Sequence, residues 1–583
     1  MIHKRLAPLL VVLLLGLAFS ASAQAGGGTA MVWGYNAAAG APGGGALGCE
    51  DCIDVPAPLN GIAGAVQMSG GYQHGLALLD DGTVMAWGRN SDGQLGDGTT
   101  DQRTAPGPVP GLSGVVALAT GEDTSLALLA DGTVRAWGSN EEGFLGDGGT
   151  TGPEDCGGDP CSKVPIAVPG VAEVIAIAAA DEFALALRSD GTVLAWGKNQ
   201  YGTLGDGIGK ADPAVRQIAG LAGVVAISAG ENGAMALLAD GTTRVWGYNR
   251  EGELGTGISS TNAPCYCLAP TSPTAVSGVR QVAAGGGHYL ALLSSGAVMG
   301  WGLNEAGQVG LGFASEGGCT CVTTPTLVPA LAPESIAATY ETSLALLADG
   351  TGRSFGYGYY GELGNGESGD DVESTSPIPI LNLSGASEIA KTVLGAYAII
   401  GPKQALKVEI AGAGTGGVGG NNIACPPSCT STPPQGRVEA LRATPDPGTG
   451  FAGFTGACTG TGACQVKMSG DQTVTATFGA PKGTKITKAK IKGKKKKKAT
   501  FSFSAPGVVT GYECKLVKPK PKKAKKKKKK AKFSRCAKPK VYKNLKPGRY
   551  RFEVRARNAL GIEAVPAKRK FKVKRAKAKK RRA

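Results

Sequence analysis

Segments such as Ser125 to Ala130 and Thr133 to Trp137 are short and apolar, and Asp131-Gly132 joins them. A glycine after an acidic residue suits the positive φ angles of a two-residue hairpin, so each such pair predicts two antiparallel strands. The same turn recurs at Asp81-Gly82, Asp190-Gly191, Asp240-Gly241 and Asp349-Gly350, with Ser295-Gly296 as a variant. Apolarity along these strands is near-continuous rather than alternating. That pattern predicts burial of both strand faces, as when sheets stack face to face around an axis.

The hairpins belong to a longer repeat. Trp33, Trp87, Trp137, Trp196, Trp246 and Trp301 are all the tryptophans in the chain, and each is followed by Gly, one variable residue and Asn. Phe355-Gly356 is a seventh, degenerate copy. The period of about fifty residues points to a propeller or solenoid. After each Trp motif comes Gly-x-Leu-Gly or a near copy, at Gly93 to Gly96, Gly143 to Gly146, Gly202 to Gly205, Gly252 to Gly255, Gly307 to Gly310 and Gly361 to Gly364. These glycines fit a compact turn between strands, and a strand such as Val115 to Ala119 then opens the next unit.

Trp33 has no hairpin partner before it, and the last unit, Glu388 to Ile400, has no Trp strand after it. The N-terminal strand is therefore expected to complete the final unit, which leaves no open sheet edge. The Trp-Gly-x-Asn and Gly-x-Leu-Gly motifs, with "GYQHGLAL" (Gly71 to Leu78) and "GGGHYLAL" (Gly285 to Leu292), resemble the regulator-of-chromosome-condensation repeat over residues 26–402. The resemblance implies a seven-bladed β-propeller closed by its N-terminal strand.

Two smaller β domains are expected beyond it, in an all-β chain. Residues 403–480, with the Cys425/Cys429 and Cys458/Cys464 pairs and a closing "TVTATF", resemble the divergent internalin B-type repeat. Residues 481–583, with Cys514 and Cys536 as the implied bridge, resemble bacterial immunoglobulin-like or fibronectin type III-like modules. Residues 1–25 have the charged, apolar and small-residue order of a secretory signal peptide, with too short an apolar run to span a bilayer. No later run is long enough to span. The expected location is secreted, extracellular or attached to the cell envelope.

All fourteen cysteines fall in close pairs: the three above, Cys49/Cys52, Cys156/Cys161, Cys265/Cys267 and Cys319/Cys321. In an exported chain such pairs read as disulfides. Cys265, Cys267, Cys319 and Cys321 leave three possibilities open: a cross-bridged set, two local rings, or four thiolates on zinc, of which the export signal favours disulfides. The insertions that carry the first four pairs each follow a Gly-x-Leu-Gly turn. They are expected to crowd one rim, the candidate surface for an extracellular protein partner.

Charge divides the chain. From residue 481 onward 42 Lys and Arg face three acids, and the remainder carries 20 bases against 42 acids, so a body of −22 bears an end of +39. Two runs dominate that end: Lys494, Lys495, Lys496, Lys497 and Lys498, then Lys525, Lys526, Lys527, Lys528, Lys529 and Lys530. They read either as a solvated tether or as a capture site for a polyanion such as envelope phosphate polymer, anionic lipid or extracellular nucleic acid.

Chemistry of other kinds finds little support. Gly412 to Gly417 spells a dinucleotide fingerprint with no helix predicted after it, and Gly385 to Thr392 resembles a phosphate loop but lies in phase with a repeat strand. His74 and His288 share one repeat slot, a packing position, and no His-Glu-x-x-His, Gly-x-Ser-x-Gly or calcium-loop pattern is present. No cofactor and no enzymatic activity are expected. The expected function is a binding scaffold built on the propeller loops, a role with precedent in a secreted member of the repeat superfamily that inhibits β-lactamases. Guanine-nucleotide exchange by family analogy and an envelope spacer are the alternatives.

Overall fold

The computed structural model describes residues 28–35, 52–210, 212–259, 268–273, 276–315, 321–420, 423–446, 449–492, 498–518 and 531–574, and all regular structure among them is strand. The signal-peptide segment, Cys49, Cys265, Cys267, Cys319, Lys494 to Lys497 and Lys525 to Lys530 lie outside the described residues.

One unit shows the pattern. Strands Val115–Thr120, Thr124–Leu129, Val134–Ser139 and Pro160–Ala167 pair antiparallel in chain order. Asp131 closes its hairpin by accepting from both the amide and the hydroxyl of Thr133 through Oδ1, at 2.9 and 2.7 Å. Gly132 follows at φ 81°, a value that costs a residue with Cβ. Four-stranded sheets of the same order follow, ending with strands Asp212–Gln217, Leu268–Thr271, Cys321–Leu327 and Glu373–Pro379.

Ring closure occurs in a seven-stranded sheet. Strand Gly28–Tyr35 lies between Gly395–Ile400, with Met31 opposite Ala398, and the 19-residue strand Cys52–Gly70. The first half of that long strand pairs with Gly28–Tyr35 and its second half with His74–Leu79. It therefore serves as the outer strand of the closing unit and the inner strand of the next. This is the closure expected from the unmatched ends of the array.

The tryptophans join neighbouring units. All six indoles are buried. Trp137 Nε1 donates to the Gln94 carbonyl at 2.8 Å, Trp196 to Phe144 at 2.7 Å, Trp246 to Thr203 at 2.8 Å and Trp301 to Glu253 at 2.8 Å. Each acceptor sits in the Gly-x-Leu-Gly turn of the preceding unit. Trp33 does the same across 329 residues, reaching Glu362 O at 2.9 Å. The last glycine of the turn makes room: a Cβ on Gly146 would lie 3.0 Å from the Trp196 indole nitrogen. At the degenerate copy Phe355 cannot donate, and Ser343 Oγ supplies the bond to the Gln308 carbonyl at 2.7 Å.

The conserved spacing from Trp to Asn has an equally local cause. Asn90, Asn140, Asn199, Asn249 and Asn304 are fully buried. Each Oδ1 accepts the amide five residues on, as Asn140 does from Leu145 at 2.8 Å, while Nδ2 donates to carbonyls of the following loop. His74 and His288 bridge units by Nε2 contacts to Ser125 and Ser343 at 3.0 and 2.8 Å, and burial lowers their pKa values to about 4 and about 3. Both are neutral packing residues at ordinary pH.

Residues 406–478 form two four-stranded sheets around Val408, Leu441, Phe454, Val474 and Phe478, with Leu406–Gly412 parallel to Gln472–Phe478. Gly412 and Gly416 end and begin strands there, so the fingerprint-like glycines form a strand-to-strand connection. Gly385 to Thr392 is occupied by strand Ala386–Lys391. Residues 485–573 form two further sheets that share a core of Phe501, Phe503, Phe552 and Val554. Disulfides join Cys156 to Cys161, Cys425 to Cys429, Cys458 to Cys464 and Cys514 to Cys536, and Cys52 and Cys321 are also disulfide-bonded.

Candidate partner-binding face

Strand direction sorts the loops. In each unit the innermost strand runs away from the Asp-Gly hairpin, so its far end and the loop after the Trp strand emerge on the same side of the ring. One side thus carries the Asp-Gly turns. The other carries the short inner turns and the long loops, including the Cys156–Cys161 insertion.

The Asp-Gly side is occupied by residues 403–480. Arg442 donates through Nε to Ser189 O at 2.9 Å and through Nη2 to Asp190 O at 2.6 Å, and Lys467 Nζ reaches Asp80 O at 2.7 Å. Arg437 is buried between Glu388 and Glu439, at 2.7 and 3.2 Å, and Lys403 pairs with Glu334 at 2.5 Å. Gly419 packs so closely on Val225 that a Cβ there would lie 2.3 Å from it. Burial pushes Glu439 up to about 7 against the opposing pull of Arg437.

The loop side is acidic, and among the described residues neither C-terminal module packs on it. Among the described residues, the inner turns and post-Trp loops hold 23 carboxylates and four Lys or Arg. Six of the carboxylates, Glu122, Asp123, Asp181, Glu182, Glu231 and Glu341, fall in the inner turns. Four of these, Glu122, Asp181, Glu231 and Glu341, line a cavity of about 420 Å³ at the ring centre, together with Tyr72, Tyr340, Tyr357, Tyr360 and Glu362. Lys391 reaches into it from the inner strand of the closing unit and donates to Ala229 O and Ala284 O at 2.6 and 3.2 Å. Burial lowers its pKa to about 8.

Burial, and after it like charge, perturbs the carboxylates. Burial, then Asp181, raises both Glu182 and Glu231 to about 7, and burial raises Glu362 to about 8. Lys198 relieves part of this by pairing with Asp181 at 2.8 Å and Glu182 at 3.7 Å. The mouth gathers carboxylates and tyrosine edges, chemistry that favours cationic side chains.

The post-Trp loops on this side, where they meet the outermost strands of the neighbouring units, carry an apolar arc. Ile208, Ile258 and Phe313 occupy one loop slot in three consecutive units, and they are 66%, 64% and 53% exposed. Large apolar side chains held out at equivalent positions are anchors of the kind that dominate protein interfaces. Sequence reasoning pointed to the insertion-bearing rim but missed both the arc and the acidic turns. Their signal was present: each arc residue stands four places after the third residue of its Gly-x-Leu-Gly copy, and the acids fill the two places before the His74 slot.

The fold and its inter-unit indole bonds define a ring-closed repeat β-propeller with its Asp-Gly face covered by the following module. The chain belongs to the family of the RCC1-like domain, whose model matches residues 29–401, and a divergent InlB B-repeat domain matches residues 407–482. Yeast RCC1 (Prp20), solved bound to Kap60, is 24% identical with a TM-score of 0.54, covering 64% of this chain and 89% of that one. Human WBSCR16 is 21% identical with a TM-score of 0.53, covering 64% and 98%. Among curated proteins, the human probable E3 ubiquitin-protein ligase HERC3 is 37% identical over 117 residues, 20% of this chain and 11% of that protein. The Arabidopsis thaliana ultraviolet-B receptor UVR8 is 29% identical over 205 residues, 34% of this chain and 44% of that protein. The chain thus spans less than half the length of these two relatives.

Proposed function

We propose that the protein is an exported binding scaffold whose seven-bladed propeller holds a protein partner on its loop face. The observation that carries this reading is the pairing of a covered Asp-Gly face with a loop face that bears exposed Ile208, Ile258 and Phe313 in its outer loops and an acidic mouth at its centre. Apolar anchors supply affinity, and the acidic mouth selects a partner with a basic protrusion. We read residues 1–25 as a signal peptide, residues 26–402 as the propeller, residues 403–480 as its internalin-type base and residues 481–583 as an immunoglobulin-like module that attaches to polyanions. The disulfides suit that exported setting.

The test is capture from envelope and secreted fractions with the full oxidised chain in high salt, beside an Ile208→Asp/Ile258→Asp/Phe313→Asp variant. A partner retained by wild type and lost by the variant supports the reading. Equal capture by both proteins removes the arc from it. Membership of the RCC1-like family favours a second reading, regulation of a nucleotide-binding partner. Catalysed nucleotide release from a small GTPase would establish that reading instead.

A further inference from the structure

The basic end contains a shallow cleft distinct from its lysine runs. Strands Gly511–Val517, Gly548–Asn558 and Ala567–Val573 lie side by side, with Val517 and Lys570 both opposite Arg551, and Lys572 opposite Arg549. Alternation sends Tyr550, Phe552 and Val554 into the core, with Val573 beside them and Phe571 packed against it. It leaves Arg549, Arg551, Lys570 and Lys572 exposed on the other surface. Together with Lys518 they line a cleft of about 410 Å³ whose remaining walls are Val517, Tyr550 and Phe571.

Like charges directly opposite each other destabilise a sheet, and here two such pairs are adjacent. The nearby carboxylate, Glu553, is taken by Lys515 at 3.0 Å and by Arg551. Among the described residues no ion pair involves Lys518, Arg549, Lys570 or Lys572. Arg549 offers a planar fork free of any carboxylate, Arg551 keeps its two terminal nitrogens beside the Nε that Glu553 holds, and Lys518, Lys570 and Lys572 offer point charges, a combination that matches tetrahedral oxyanions carrying more than one charge. In the sequence Lys518 leads directly into the run that ends at Lys530, and Lys572 into the basic terminus.

We propose that this cleft is the phosphate-binding subsite of the basic module, taking a phosphate group of a polymeric anion while the lysine runs add nonspecific attraction. The proposal rests on the polyanion-attachment reading and gives it a geometry. The probe is inorganic tripolyphosphate, titrated calorimetrically into the full oxidised chain at low salt. Two variants accompany it: Arg549→Gln/Lys572→Gln in the cleft, and Gln at Lys494 to Lys498 and Lys525 to Lys530 in the runs. Circular dichroism and an intact Cys514–Cys536 bridge verify folding of each.

Loss of two charge-assisted contacts is expected to weaken tripolyphosphate binding by the cleft variant at least about tenfold. The run variant is expected to keep one tripolyphosphate site. Against a long polyphosphate, the cleft variant should lower the salt slope by about two. A single-stranded oligonucleotide measured in parallel distinguishes phosphodiester from phosphoanhydride as the source of the group, because the cleft variant weakens only the one that enters the cleft. Wild-type affinity in the cleft variant with loss in the run variant overturns the subsite while leaving polyanion attachment intact. No binding of any phosphate species by wild type overturns both.

Discussion

Replacing Trp196 and Trp137 separately by Phe should destabilise the propeller unequally, although the two indoles occupy the same repeat position and are equally buried. Each substitution removes a similar apolar volume and one indole donor. The carbonyls they leave behind differ. Gln94 O accepts from Trp137 Nε1 at 2.8 Å and also from Ser125 Oγ at 2.9 Å, so it remains bonded when Trp137 is lost. Phe144 O accepts from Trp196 at 2.7 Å, and Ala184 stands where Ser125 would be, so no side-chain donor replaces the indole. A buried carbonyl without a partner costs about 1–3 kcal/mol, and Trp196→Phe should exceed Trp137→Phe by about that amount. Ser125→Ala combined with Trp137→Phe should restore the penalty, giving a double-mutant coupling of about 1 kcal/mol or more. The degenerate unit already behaves this way, since Ser343 satisfies Gln308 O beside Phe355. The assay is denaturant unfolding of the oxidised chain followed by far-ultraviolet circular dichroism. Equal losses for the two single variants, or additivity in the double variant, would refute the argument.

Glu362 and Glu253 fill a slot that Gln94 and Gln308 fill in other units, where the side-chain oxygen accepts the amide two residues before it, as Glu362 accepts from Tyr360 at 2.8 Å. Burial raises both carboxyl pKa values to about 8, so the folded state holds extra protons above the unfolded carboxylate pKa and stability falls as pH rises from about 4.5 to about 8. Glu362→Gln should therefore be near neutral at pH 5 and stabilising at pH 8, read as the difference in denaturation midpoint at the two pH values. Arg437→Met leaves Glu388 and Glu439 buried without their cation and should cost about 3–5 kcal/mol at neutral pH; limited proteolysis near residue 402 should accelerate, and an unchanged cleavage rate would contradict the docking contact. Asp131→Ala removes both bonds to Thr133 and should cost about 1 kcal/mol, measured by the same denaturation experiment.

Architecture was legible because it is periodic. Six Trp-Gly-x-Asn copies, the Asp-Gly hairpins and the unmatched ends at Trp33 and Ile400 carried the sheet order and its closure, each through a local cause that the structure makes explicit. The site was less legible because it is assembled from differences between copies. Glu122, Asp181, Glu231 and Glu341 are scattered over some 220 residues, and only strand direction brings them to one mouth. Ile208, Ile258 and Phe313 look like ordinary core residues in a β-rich sequence until their loop is seen to face outward. The cover over the Asp-Gly side depends on long-range contacts such as Arg442 to Asp190, which no local pattern encodes.

The most direct test of the account is hydrogen–deuterium exchange on the full chain with and without the partner it captures at high salt. The account predicts protection in the loops around Ile208, Ile258 and Phe313 and in the inner turns at Glu122, Asp181 and Glu231, with exchange unchanged in the Asp-Gly turns at residues 80–83 and 240–242. Protection of those Asp-Gly turns with no change on the loop side would contradict it.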